Sequence, residues 1–181
     1  MSGMEEMKEL HEAAEEGHHK NLAVVSLTMA IVAVLVAISG LLGHRAHTEE
    51  VVLQNKVTDQ WAYYQAKNIR RSADEHFLDY MAIYPPANKE AAEKIAKKNE
   101  AEIDKYRDQQ KEIDAEARKL TDETELIRRR ADRFDLGESL LEVALVICSL
   151  TLLTGRRPFW IAGMVVALVG VAASASAFLL H

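Results

Sequence analysis

Two stretches of this chain carry no charge at all, Asn21 to Gly43 and Pro158 to Leu180. As helices, each is long enough to cross the apolar core of a bilayer, which takes about 20 residues. Between them lies a block dense in Lys, Arg, Asp and Glu. A soluble globule interleaves its apolar and charged residues, so this segregation excludes one. Composition excludes more. Eight Gly and three Pro rule out a collagen-like chain, and a single Cys rules out a disulfide scaffold. A net charge of −6 with no long basic tract argues against a nucleic-acid partner.

Leu22 to Gly43 reads as the first membrane span. The stretch before it holds Glu5, Glu6, Glu9, Glu12, Glu15 and Glu16 against Lys8 and Lys20. The apolar run also exceeds the roughly 7–15 residues of a signal-peptide core, so it is not read as a cleaved leader. Pro158 to Leu180 reads as the last span. Phe159 and Trp160 fall where aromatic rings favour the headgroup layer, and Pro158 suits the start of a helix. Glu138 to Thr154 is shorter and holds two acids, yet reads as a middle span. Asp135 and Glu138 have the spacing of a capping box, and Gly155 that of a helix C-cap. The expected fold is an all-α integral membrane protein with three transmembrane helices. It divides into an acidic tail at 1–20, spans at 21–43, 136–155 and 158–180, and an extramembrane helical hairpin at 44–135.

The hairpin follows from periodicity. From Thr48 to Tyr84 no Gly or Pro interrupts. Ala62, Ala66, Ile69, Ala73, Phe77, Tyr80 and Tyr84 step by 3 or 4, which marks one helix face as the inward one. Pro85-Pro86 then stops the helix. In the second arm, Ala92, Ala96, Asn99, Ile103, Tyr106, Gln110, Ile113, Ala117, Leu120, Thr124, Ile127, Ala131 and Phe134 alternate steps of 4 and 3. Ten of these 13 positions are apolar. A sustained 3.5 period marks a coiled-coil seam. Two arms about a Pro-Pro turn predict an antiparallel coiled-coil hairpin, each arm on the order of 55–70 Å long at about 1.5 Å per residue.

Within the first arm, Thr58-Asp59-Gln60-Trp61-Ala62-Tyr63-Tyr64-Gln65-Ala66-Lys67 resembles the signature of a family of small bacterial membrane proteins, a domain of unknown function. The resemblance implies one span before the motif, a long charged helical stretch, and apolar spans at the C-terminus. It covers most of the chain and implies no activity.

Candidate sites are few. Asp59, Gln60, Trp61, Tyr63, Tyr64 and Gln65 form a patch suited to docking a partner or to packing between helices. Glu138 and Glu142 are four apart, so they share a face, and acids within a span are functional candidates by default. In a symmetric oligomer they would form acidic rings along a cation pathway. The interfacial alternative has Glu138 in the capping box and Glu142 reaching headgroup water or Arg133. Gly163, Ala167, Gly170 and Ser174 are small residues on one face of the last span, a pattern that lets helix backbones approach and is expected to pack copies together. Asp74, Glu75, His76 and Asp79 lack the ligand set of a zinc or di-iron centre and read as a solvated face. No phosphate-cradling Gly loop or catalytic Ser/His/Asp cluster occurs, so neither an enzyme nor a bound cofactor or metal is expected.

These features predict an oligomeric membrane scaffold whose partners are the bilayer and further copies of itself. One alternative is a channel or transporter subunit with the acids of the middle span near a pathway. Another is a docking module reading a partner through the Trp/Tyr motif. Lys8, Lys20, Arg156 and Arg157 in the short segments favour a bacterial inner membrane with the hairpin in the periplasm. Arg45, Lys56, Arg128, Arg129, Arg130 and Arg133 favour the reverse, but charge bias is weaker for long loops.

Overall fold

The structure is a computed structural model. It describes the backbone of residues 3–180 and the side chains of residues 22–180, so the side chains of the acidic tail at 1–20 lie outside the described residues. Among the described residues there is helix and no strand. Helix α1 runs Gly3–Ile83, α2 Lys89–Thr154 and α3 Arg157–Ser176, and a short 3-10 turn follows at Ala177–Leu179. Three helical segments, in Leu22–Ile83, Lys89–Thr154 and Arg157–Leu179, are long and apolar enough to cross a membrane.

Local chemistry sets the breaks. α1 ends just before Pro85-Pro86. Asn88 opens α2, its Oδ1 accepting from the Ala91 N–H at 3.0 Å, the usual office of an N-cap. Gly155 closes α2 in the left-handed region, at φ 65°, where a side chain would be strained. Its N–H donates to the Thr151 carbonyl at 2.8 Å. Pro158 falls in the first turn of α3, where its missing N–H costs nothing.

The helices run through two compact units, one of Met1–Thr48 with Leu126–His181, the other of Glu49–Glu125. The first is a three-helix packing around Val32, Leu141, Ala144 and Ala167. α3 keeps pace with α1. Trp160 Nε1 donates to Thr28 Oγ1 at 3.0 Å, and the Ser39 and Ser174 hydroxyls meet at 2.6 Å. Arg130 donates to the Leu180 carbonyl at 2.7 Å, and the Phe134 and Phe178 rings meet edge-on at 5.5 Å.

In the second unit, polar contacts join the two helical segments. Gln110 Nε2 donates to Asn68 Oδ1 at 3.2 Å, and Arg107 pairs with Glu75 at 3.2 Å. Lys67 Nζ lies over both Tyr63 and Tyr106, 5.1 and 5.3 Å from the ring centroids. The α2 seam is as spaced: Ile103, Gln110, Ile113, Ala117, Thr124, Ile127, Ala131 and Phe134 are all buried. Past Phe134 the buried positions become Gly137, Leu141, Ala144, Cys148 and Thr151. Two successive steps of three, 131 to 134 to 137, rotate the buried face as α2 comes to pack against α3 as well as α1.

Three expectations are corrected. The capping box fails because α2 passes unbroken through residues 135 and 138, so no free helix-start N–H exists there. Asp135 instead meets His47 Nε2 at 2.9 Å, and the Glu138 carboxylate lies against Gly40. The inward face assigned to the first arm is also reversed. Ala62, Ala66, Ile69, Ala73, Phe77, Tyr80 and Tyr84 are all exposed. Finally, the small residues of α3 pack within the chain. A Cβ on Gly170 would lie 3.0 Å from the Gly137 carbonyl oxygen, one on Gly163 would meet Cys148 Sγ, and Ser174 bonds Ser39.

Candidate functional site

The first arm shows why its faces were misread. Positions 50, 53, 57, 60, 64, 67, 71, 74, 78 and 81 keep strict heptad steps, and every one is buried or half-buried. They read Glu50, Leu53, Val57, Gln60, Tyr64, Lys67, Arg71, Asp74, Leu78 and Met81, so half of this seam is polar or charged. Arg71 is bonded within the arm, and polar neighbours beside the seam reach the other arm. Asn68 Oδ1 accepts from Arg71 as well as Gln110, and Glu75 accepts from Arg107. Lys67 is accommodated in the seam by the faces of Tyr63 and Tyr106, over which its ammonium lies.

This arrangement divides the signature motif. Trp61 and Tyr64 turn half inward and meet edge-to-face at 5.7 Å, with Gln60 beside them. Asp59, Tyr63 and Gln65 face outward. The six residues therefore do not form one surface. The opposite face of the same arm is the apolar one: Ile69 is 68% exposed, Tyr80 60% and Phe77 43%. The outer face of α2 differs. It carries ion pairs along the helix, Lys97 with Glu93, Lys111 with Asp108, and Arg118 with Asp114. The hydrogen bond to Asp114 pushes the Arg118 pKa up, so the guanidinium stays charged. That face is built for water; the outer face of the first arm is not.

In the three-helix unit the two acids part company. Glu138 is half-buried, and Gly40 makes room for it. Glu142 is exposed on the surface of the unit. Its neighbours Leu140 and Leu141 rest on Gly170, each about 3 Å from where a Cβ would stand. Gly170 is ten residues short of Leu180. At about 1.5 Å per residue this is about 15 Å, half the thickness of a bilayer core.

Sequence reasoning missed the half-buried polar residues Asn68, Arg71 and Glu75, and the exposed Arg107 that reaches Glu75. The signal was present: Gln60, Lys67, Arg71 and Asp74 continue the heptad of Val57 and Leu78. Reading every inward position as apolar hid it.

Among known families, the model described as domain of unknown function, DUF4337, matches residues 21–180. No curated protein and no solved structure matches the chain.

Proposed function

We propose that this chain, which belongs to the DUF4337 family, is a non-catalytic membrane scaffold that works as a homo-oligomer. Its three apolar helices anchor it in a bacterial inner membrane, and residues 44–135 form an antiparallel coiled-coil hairpin on the periplasmic side. The order of the contacts supports the hairpin, since Asn68 lies opposite Gln110 and Glu75, further along, lies opposite Arg107. The observation that carries the scaffold reading is the inversion of the first arm, which turns polar residues toward its partner helix and an apolar stripe toward solvent. A helix so built lowers its free energy by being covered. Light scattering of the purified chain should give a multiple of the 20.3 kDa protomer mass. A stable monomer would overturn the scaffold.

Glu142 favours a second reading, a channel or transporter subunit. A carboxylate on the outer surface at mid-bilayer depth is costly facing lipid and less so facing a water-filled path or another copy. If liposomes holding the chain pass cations and Glu142→Gln abolishes the flux at unchanged oligomer mass, this reading displaces the first. Docking of a partner through the Trp/Tyr motif has less support, because Trp61 and Tyr64 turn inward.

A further inference from the structure

We propose that the outward stripe of the first arm, from Ala62 to Tyr80, docks the same stripe of a second copy, with the two arms parallel and in register. This rests on the scaffold reading and names its surface and partner. The stripe is Ala62, Ala66, Ile69, Ala73, Phe77 and Tyr80, all exposed.

Lipid does not cover it. Ala62 is nineteen residues beyond Gly43, where the charge-free stretch ends. Arg45, Glu49, Glu50, Lys56 and Asp59 intervene. Along a continuous helix that is about 28 Å, further than the headgroup layer reaches. The chain's own α2 does not cover it either, since α2 takes the polar seam on the other side.

A second copy fits for three reasons. First, one helix, α1, carries both an apolar segment at 22–43 and the stripe. Copies inserted in one bilayer in one orientation therefore carry this stripe on the same side of it, which confines the encounter to two dimensions and raises its effective concentration. Secondly, the stripe is complementary to itself in that register. Ala62, Ala66 and Ala73 let two backbones approach, while Ile69, Phe77 and Tyr80 provide the apolar bulk. Thirdly, the flanks do not repel. With Ala66 and Ile69 as core positions, the pairs that meet across a parallel seam are Thr58 with Tyr63, Gln65 with Arg70 and Ser72 with Phe77. None is a like-charge pair. The ion-paired outer face of α2 offers no such surface.

The test uses the full chain in liposomes, with Cys148→Ser removing the native thiol. Single cysteines replace Ala62, Ala66, Ile69 or Ala73 on the stripe, Tyr64 or Arg71 on the inward face, and Lys97 or Lys111 on the outer face of α2. Copper-phenanthroline oxidation should give a band of doubled mass at the stripe positions and little at the others. Ile69→Glu, in a position with room for it, should halve the mass by light scattering at unchanged helical circular dichroism. If the chain is multimeric but the stripe cysteines do not cross-link, or Ile69→Glu leaves the mass unchanged, the surface is wrong and the scaffold reading stands. If the unmodified chain is monomeric, both fall.

Discussion

At Gly170, α3 packs closely on α2. A Cβ there would stand 3.0 Å from the Gly137 carbonyl oxygen and 3.0 Å from Leu141 Cγ, and backbone cannot yield as a side-chain tip can. Gly137 faces it, close to the Ser174 side chain and 2.9 Å from the Ser174 nitrogen by the same measure. In a bilayer, where lipid is as apolar as leucine, such close approach supplies the dispersion contact that holds helices together. Gly170→Ile should therefore loosen the three-helix unit within one copy. Overpacking of this kind costs about 1–3 kcal/mol, more where backbone is hit. Thermal unfolding in detergent should show a lower midpoint, whether or not the oligomer persists. An unchanged midpoint with a smaller complex would return the small-residue face to the contact between copies. The spacing of Gly163, Ala167, Gly170 and Ser174 was legible in the sequence because small residues at 3–4 steps mean close packing. Which helix packs there was not, since α2 and another copy satisfy the same spacing.

At the scale of the helix, what decides legibility is whether the covered face is the apolar one. In α2 it is: Ile103, Ile113, Ile127 and Phe134 are buried where their period places them. In the first arm it is not. Periodicity reports which face is apolar and is silent on what covers it, so Ile69 and Phe77 pointed to the wrong side. Breaks were legible where a residue type forces them, at Pro85 and Gly155, and not at Asp135, where a cap-like spacing sits inside a helix with nothing to cap. Gln110, 6% exposed, and Thr124 are the buried polar members of the α2 seam; Thr124 bonds the Leu120 carbonyl of its own helix, and Gln110 reaches across to Asn68. A single polar residue in such a seam fixes register at some cost in stability. Gln110→Leu removes a donor without orphaning its acceptor, because Asn68 Oδ1 still takes the Arg71 hydrogen bond at 2.9 Å. The midpoint of the Leu variant should hold or rise. Gln110→Glu sets a carboxylate against the Asn68 oxygen and should cost about 1–3 kcal/mol. If both variants melt alike, Gln110 does not set the register.

For the whole molecule the open variable is orientation, and the three-helix unit bears on it. Arg157 and Trp160 lie together with Val24 and Val25, so the turn after α2 and the start of the first apolar stretch are on one side of the unit. Lys20 precedes that stretch, and Arg156 and Arg157 form that turn. That turn is a short segment, the kind whose Lys and Arg govern which side stays in the cytoplasm. The opposing cations, Arg128, Arg129, Arg130 and Arg133, belong to a long segment that crosses largely regardless of charge, and Arg130 is already engaged by the Leu180 carbonyl. The balance favours the Arg156-Arg157 side inward and residues 49–125 in the periplasm. Lys98 is exposed in that segment. Lys98→Cys in a Cys148→Ser background should react with a membrane-impermeant maleimide in intact spheroplasts, as fast as after lysis. Cys148 itself is buried against Gly163, so its replacement leaves one reporter. Labelling that appears only after lysis would put the segment in the cytoplasm. Its basic residues would then face the anionic inner leaflet, where each is worth about 1 kcal/mol of attraction near the surface. The stripe-to-stripe contact would survive that reversal, because it needs only that all copies point the same way.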